Sequence, residues 1–180
     1  MQIETSRLRL RRFHPRDVPD FAAYRSDREV ARYQNWDFPL PLASARRLVD
    51  EYARRDPTRP GWFPYAIELK EDERLVGDIA VNRHPGGAKA ELGFSIARAR
   101  QGQGYASEAV RGVLAELFAQ GLRTAVAECD VRNTPSARLL ERLGFTFARE
   151  HSFFEREKRA HITLSEFTLP AERWATLGRQ

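Results

Sequence analysis

Apolar positions change period along the chain, and each change marks an element. From Arg7 to Phe13 apolar and charged residues alternate, with Leu8 and Leu10 on one face, which predicts a strand. Asp17 to Arg25 reads as a short helix, and Asp27 can cap a second one running through Tyr33. Gln34 to Leu42 carries two prolines and two large aromatics and reads as a loop. Leu42, Ala45, Val49, Tyr52 and Ala53 recur at helical spacing, so an amphipathic helix is expected over Leu42 to Arg55. Asp56 to Gly61 is a loop.

Three strands then follow in series: Phe63 to Leu69, Leu75 to Val81 and Glu91 to Ile96. The turns Glu71-Asp72-Glu73 and Pro85-Gly86-Gly87 separate them, and such short links predict an antiparallel meander. Arg98 to Tyr105 is a glycine-containing loop. A helix from about Ser107 to Gln120 presents Val110, Val113, Leu114, Leu117 and Phe118 as one stripe, with Gly121 as its stop. After a strand from Ala125 to Val131, Thr134 can cap a helix that has Pro135 at its first position and buries Leu139, Leu140 and Leu143. Gly144 ends that helix, and Phe147 to Phe154 and Ile162 to Leu169 read as two more strands. A strand-loop-helix-strand crossover makes Glu91–Ile96 parallel to Ala125–Val131. The expected class is α/β, a mixed and mostly antiparallel sheet with helices on both faces, in one domain spanning 1–180.

Composition narrows the function. The chain has 180 residues, 42% of them hydrophobic, and no apolar run of membrane-spanning length. The N-terminal segment has basic residues but no apolar core of a secretory signal. Cys129 is the lone cysteine, which rules out an intramolecular disulfide and agrees with a reducing, cytoplasmic setting. It falls within a strand with no histidine at a telling spacing, so it is expected to be a buried core residue. Net charge is +5, almost wholly from arginines interspersed with acids. That pattern describes a mixed-charge surface; no recognition motif points to nucleic acid. The four histidines show no metal-ligand spacing, so no metal is expected.

Chemistry concentrates between the third meander strand and the next helix, at Gln101-Gly102-Gln103-Gly104-Tyr105-Ala106-Ser107. Two glycines let a backbone turn tightly and approach a ligand, and a helix N-terminus offers unpaired N–H groups and partial positive charge. Together they make an anion cradle. Its spacing fits neither a Walker loop nor a dinucleotide fingerprint, since Ser107 stands where the third glycine would be. It resembles the Gln/Arg-x-x-Gly-x-Gly/Ala motif of GNAT acetyltransferases, here Gln101, Gly104 and Ala106. Downstream, Asn133-Thr-Pro-Ser136 followed by leucines and Gly144-Phe145 resembles the second block of that family. The run Ile3 to Phe13, the Asp17 helix and the loop after Tyr33 look like its RimJ/RimL branch, which acetylates N-terminal amines of ribosomal proteins and includes relatives acting on small amines. The segment Glu157-Lys158-Arg159-Ala160-His161 departs from the Gly-x-Trp-x-Asp-like segment common there.

The resemblance implies a GNAT fold, with a V-shaped splay between the fourth and fifth strands, Glu91–Ile96 and Ala125–Val131. It implies acetyl-CoA as co-substrate, its pyrophosphate held by residues 101–107. The pantetheine arm would lie along Phe94, Ser95 and Ile96, with Asn133 on the other side. The acceptor would be a primary amine, on a protein N-terminus or a small molecule, and a homodimer stays open because relatives are often dimers. Direct attack on the thioester needs a neutral amine. A lysine-like amine is neutral in roughly 1 molecule in 2,500 at pH 7, an α-amine in roughly 1 in 7, so a base matters more for the first. The resemblance points to Glu91 as that base; a surface carboxylate paired with an arginine is the alternative. Leu140 occupies the position where many relatives carry an acid tyrosine. Ser136 could hydrogen-bond the thiolate, or simply cap the helix. Trp36, Phe38, Trp62 and Phe63 border the acceptor side as lid or as core. The competing functional class is a silent acyl-CoA-binding module.

Overall fold

A computed structural model describes residues 2–155 and 159–177. Eight strands form one sheet: β1 (Ile3–Glu4), β2 (Leu8–Arg11), β3 (Gly61–Leu69), β4 (Leu75–Arg83), β5 (Lys89–Ile96), β6 (Thr124–Asp130), β7 (Thr146–Glu155) and β8 (Ala160–Pro170). Their spatial order is β1-β2-β3-β4-β5-β6-β8-β7. All neighbours are antiparallel except β5 and β6, which run parallel because a helical crossover joins them.

That parallel pair is short. It runs from Lys89↔Thr124 to Leu92↔Ala127 and then stops, although β5 continues to Ile96 and β6 to Asp130. Residues 93–96 and 128–130 therefore face each other across an open wedge. On its other side β5 stays paired residue for residue with β4, from Gly77↔Ile96 to Arg83↔Ala90. Gly77 permits this: a Cβ there would lie 2.1 Å from the Ser95 carbonyl oxygen.

The helices are α1 (Val18–Arg25), α2 (Arg28–Ala31), α3 (Leu42–Arg54), α4 (Tyr105–Ala119), α5 (Thr134–Arg142) and α6 (Ala171–Leu177). Alternation along the strands sorts the apolar side chains onto two faces. Leu8, Leu10, Ile67, Ile79 and Leu92 pack with Val110, Val113 and Leu114 of α4 and Leu139 and Leu140 of α5. The opposite face carries α1 to α3, with Phe13, Phe21, Tyr24, Ala45 and Val49 in a second cluster. The buried carboxylates of Asp17, Glu68, Asp78 and Asp130 are each paired with an arginine. Glu68 is fully buried and accepts from Arg9 Nη1 and Arg11 Nε, both at 2.6 Å, and from Arg16 Nη2 at 2.8 Å. Arg11 also grips Asp17 through both terminal nitrogens, at 2.7 and 2.8 Å, which ties the start of α1 to β2.

The sequence expectations hold for element types and fail at some boundaries. Helix α4 begins at Tyr105, not Ser107, because Gly104 enters it directly with φ +83°. Helix α2 ends at Ala31 rather than Tyr33, where a turn bonds Gln34 N to the Ala31 carbonyl. The residue capping α5 is Asn133, not Thr134: its side-chain oxygen accepts from Ser136 N, and Thr134 is already helical. Strand β1 and helix α6 carry no clear sequence signal; α6 is fixed by tertiary contact, with Trp174 stacked on Phe118 at 5.5 Å. Glu157 and Lys158 lie outside the described residues, so the departing segment is seen only from Arg159 onward. No helix of the described residues is long and apolar enough to cross a membrane.

Candidate active site

A cavity of about 790 Å³ fills the wedge between β5 and β6. Of the residues expected at the cofactor, Phe94, Ser95, Ile96, Gln101, Gly102, Gly104, Tyr105, Ala106, Ser107, Asn133 and Ser136 line it and Gln103 does not; Glu91, the expected base, is not on its lining either. Two stretches far apart in sequence thus meet at one opening because α4 carries the chain from β5 back to β6.

The loop at its mouth is set by its own side chains. Gln101 Nε2 donates to the Ile96 carbonyl at 2.9 Å, and Gln103 Nε2 to that of Ala99 at 3.2 Å. Gln103 thus braces the turn rather than facing the cavity. Gly102 and Gly104 take φ +74° and +83°, a region costly for other residues. No side chain caps α4, so its first-turn N–H groups point at the opening without an intrahelical acceptor. This cradle fits a pyrophosphate: paired left-handed glycines, free amides and the positive end of a helix lasting from Tyr105 to Ala119. Beside it, the backbone of residues 93–96 has no strand partner on the β6 side, which suits an extended amide-bearing arm.

Across the wedge, Asn133 lines the cavity and uses its side-chain oxygen to cap α5, 3.4 Å from Ser136 N. Ser136 and Cys129 both line the cavity wall, and the serine hydroxyl acts on the Cys129 thiol. Burial pushes the Cys129 thiol up, against the pull of the Ser136 hydroxyl, so it stays protonated at neutral pH. It is buried in the core, as expected, and also lines the cavity. Leu140 is fully buried and presents no acid.

The α2 side of the cavity is walled by Glu29, Val30, Arg32, Tyr33 and Gln34. This wall is anchored behind Ser95, whose register partner is Asp78. Tyr24 donates its hydroxyl to Asp78, Arg25 lies at 3.3 Å from the same carboxylate, and the Arg25 guanidinium sits 4.2 Å from the Trp36 ring. Burial, then the Asp78 charge, push the Tyr24 hydroxyl well up, so it remains a donor. Trp36 is therefore bracing and Phe63 is core, whereas Phe38 and Trp62 are 48% and 41% exposed. Trp36 and Phe38 also line a neighbouring cavity of about 740 Å³.

Glu91 stands just before the wedge, opposite Asn82, its cross-strand partner. Burial, then the Glu128 charge, raise its pKa. Glu128 does line the cavity, on the same face of the sheet, with His151 Nε2 at 3.9 Å. Sequence reading passed over it; the signal was an acidic residue in an otherwise apolar strand, Ala125-Val126-Ala127-Glu128-Cys129. Glu91→Gln is expected to raise the melting temperature at pH 7. A carboxyl with a raised folded-state pKa is no handicap below the unfolded value of about 4.3, where both states are protonated, and loses stability as pH rises through the folded value. The gain should vanish near pH 4 in thermal melts. Among the described residues, no three His, Cys, Asp or Glu side chains could together hold a metal ion.

The family model described as "Acetyltransferase (GNAT) domain" matches residues 7–146. The uncharacterized N-acetyltransferase p20 of Bacillus licheniformis is 29% identical over 95% of this chain and 97% of its own. The ribosomal-protein-serine acetyltransferase of Escherichia coli is 38% identical, over 47% of this chain and 48% of its own. Among solved structures, a GNAT-family acetyltransferase from Bacillus anthracis superposes with a TM-score of 0.82 at 24% identity, covering 96% of this chain and 99% of that one. RimL, a ribosomal L7/L12 α-N-protein acetyltransferase in complex with coenzyme A, gives 0.78 at 20%, covering 94% and 98%. With the wedge, the glycine cradle and the family match in agreement, the chain belongs to the GNAT family, acetyltransferases that draw the acetyl group from acetyl-CoA.

Proposed function

We propose that this protein transfers acetyl from acetyl-CoA to a primary amine that enters from the α2 side of the wedge. The carrying observation is the open seam between β5 and β6, lined at one end by the glycine cradle and at the other by Glu128. In this reading the pyrophosphate sits on the amides of residues 101–107. The pantetheine arm adds to the free edge of β5 at Phe94, Ser95 and Ile96, and Asn133 closes the far side. The thioester then lies near Gly93, between the two carboxylate-bearing strands.

An acceptor amine arrives mostly protonated and must lose a proton before it attacks. Glu128 faces the cavity and receives that proton, directly or through water. Glu91, whose raised pKa makes it a better proton holder than an ordinary carboxylate, stands beside it as second acceptor. In this reading the Ser136 hydroxyl, on the cavity wall, hydrogen-bonds the departing thiolate. A coenzyme A thiol has a pKa of about 8.5, so solvent can finish its protonation.

The half-length likeness to a ribosomal-protein-serine acetyltransferase and the fold likeness to RimL support an N-terminal α-amine as one acceptor class, with small amines as the other. Release of free coenzyme A, followed against N-terminal peptides, polyamines and aminoglycosides, tests the reading. Saturable release with one class is the expected result. Tight acetyl-CoA binding without release for any primary amine would leave only the silent acyl-CoA-binding module.

A further inference from the structure

The cradle is held from outside by a residue that does not line the cavity. Arg7, in the link between β1 and β2, donates from Nη1 to the Gln103 carbonyl at 3.0 Å and from Nε to Glu108 Oε2 at 2.7 Å. Its guanidinium lies 4.5 Å from the centre of the Tyr105 ring. Its backbone N–H donates to Glu108 Oε1 at 2.7 Å, where the Thr5 hydroxyl also donates at 2.6 Å. One side chain therefore touches the loop, the first residue of α4 and an acid in the helix's first turn.

The segment is seated for this. A Cβ on Gly112 would lie 2.9 Å from Thr5 Cγ2, so the glycine in the middle of α4 lets the link lie directly on the helix. Terminal nitrogen Nη2 of Arg7 in turn lies 3.3 Å from where a Cβ on Gly104 would be, so the guanidinium packs against the residue that turns the loop into the helix.

The charges give the arrangement its sense. Glu108 is a carboxylate in the first turn of α4, the turn that offers its amides to a dianionic pyrophosphate. Left alone, it would repel that ligand. Burial would raise the Glu108 pKa, but the hydrogen bonds from Thr5 and Arg7 outweigh it, so the group stays ionised and its charge is answered locally.

We infer that Arg7 is a positioning residue for the pyrophosphate cradle: it fixes the Gln103–Gly104–Tyr105 backbone in its ligand-accepting shape and cancels the charge of Glu108 beneath it. This rests on the cradle reading proposed above. The selectivity it predicts is specific, because only the pyrophosphate-bearing part of the co-substrate meets the loop. The acetyl-pantetheine end is held elsewhere in the wedge.

The experiment compares acetyl-CoA with acetyl-pantetheine, which lacks the pyrophosphate and the nucleotide, on wild type, Arg7→Met and Arg7→Lys. Wild type should bind acetyl-CoA far more tightly than acetyl-pantetheine; if it does not, the cradle reading itself fails. Given that preference, Arg7→Met should raise the Kd for acetyl-CoA roughly tenfold, the low end for a charge-assisted contact that is partly exposed. Its Kd for acetyl-pantetheine should change by less than about twofold. Arg7→Lys, which keeps the charge and loses the planar fork, should fall between. Equal losses for both ligands would mean that Arg7 is only structural, and an unchanged acetyl-CoA affinity in Arg7→Met would remove it from the cradle; either overturns the inference. Melting curves identify a variant that has not folded, and Arg7→Lys then carries the comparison.

Discussion

Gly104→Val is expected to weaken acetyl-CoA binding by roughly 100-fold or more while leaving a folded protein. A β-branched residue at φ +83° is a backbone outlier, and holding one residue in such a region costs about 1–3 kcal/mol. At 1.4 kcal/mol per tenfold, the upper end alone is about two orders of magnitude. A second effect adds to it, since the new Cβ would come within 3.3 Å of Arg7 Nη2, before the valine methyls are placed. Gly102→Ala is the control. Its Cβ would meet nothing within 4 Å, so only the φ +74° strain acts and the loss should be clearly smaller. Calorimetric titration separates the two. Equal affinities for Gly104→Val and wild type would take the pyrophosphate off this loop.

Glu128→Gln should lower the turnover number by roughly 10²–10⁴-fold, the usual worth of a general base. Acetyl-CoA affinity should hold, because one oxygen becomes one nitrogen at the end of the wedge remote from the cradle. Glu91→Gln should cost less, by about tenfold, because Glu91 stands beside the cavity and not on its wall. Both losses should shrink as pH rises, since solvent then supplies neutral amine unaided. Both should be smaller for an α-amine acceptor than for a lysine-like one, because more of it is already neutral. A pH–rate profile with one acceptor of each kind reads all of this. A larger loss for Glu91→Gln than for Glu128→Gln would return the base to Glu91, through a water.

Much of this architecture was legible from residue patterns. The helical stripe of Val110, Val113, Leu114 and Leu117 and the alternation of the meander strands report burial directly, and burial is what periodicity encodes. The cradle was legible because glycines at 102 and 104 mark backbone that other residues avoid. What stayed hidden depends on contacts between distant segments. Glu128 looks like any strand carboxylate until the wedge shows that it borders a cavity. Arg7 is one of many arginines until the fold brings Glu108 and Gln103 beneath it. Strand β1 spans only Ile3 and Glu4, too few for a period, and the capping role moved from Thr134 to Asn133 because both side chains suit that task.

The open seam also has a consequence for how long the protein lasts. A sheet that stops pairing after Leu92 and Ala127 leaves backbone groups to water that an extended ligand arm would engage. A ligand that binds only the folded chain stabilises it by RT ln(1 + [L]/Kd), about 2.7 kcal/mol at a hundredfold excess over Kd. Shifts of that size change how often a chain opens to proteases, and so its abundance several-fold. With the pantetheine arm in the seam, acetyl-CoA and the free coenzyme A left after transfer, which share that arm, would both protect this acetyltransferase from unfolding and from proteases.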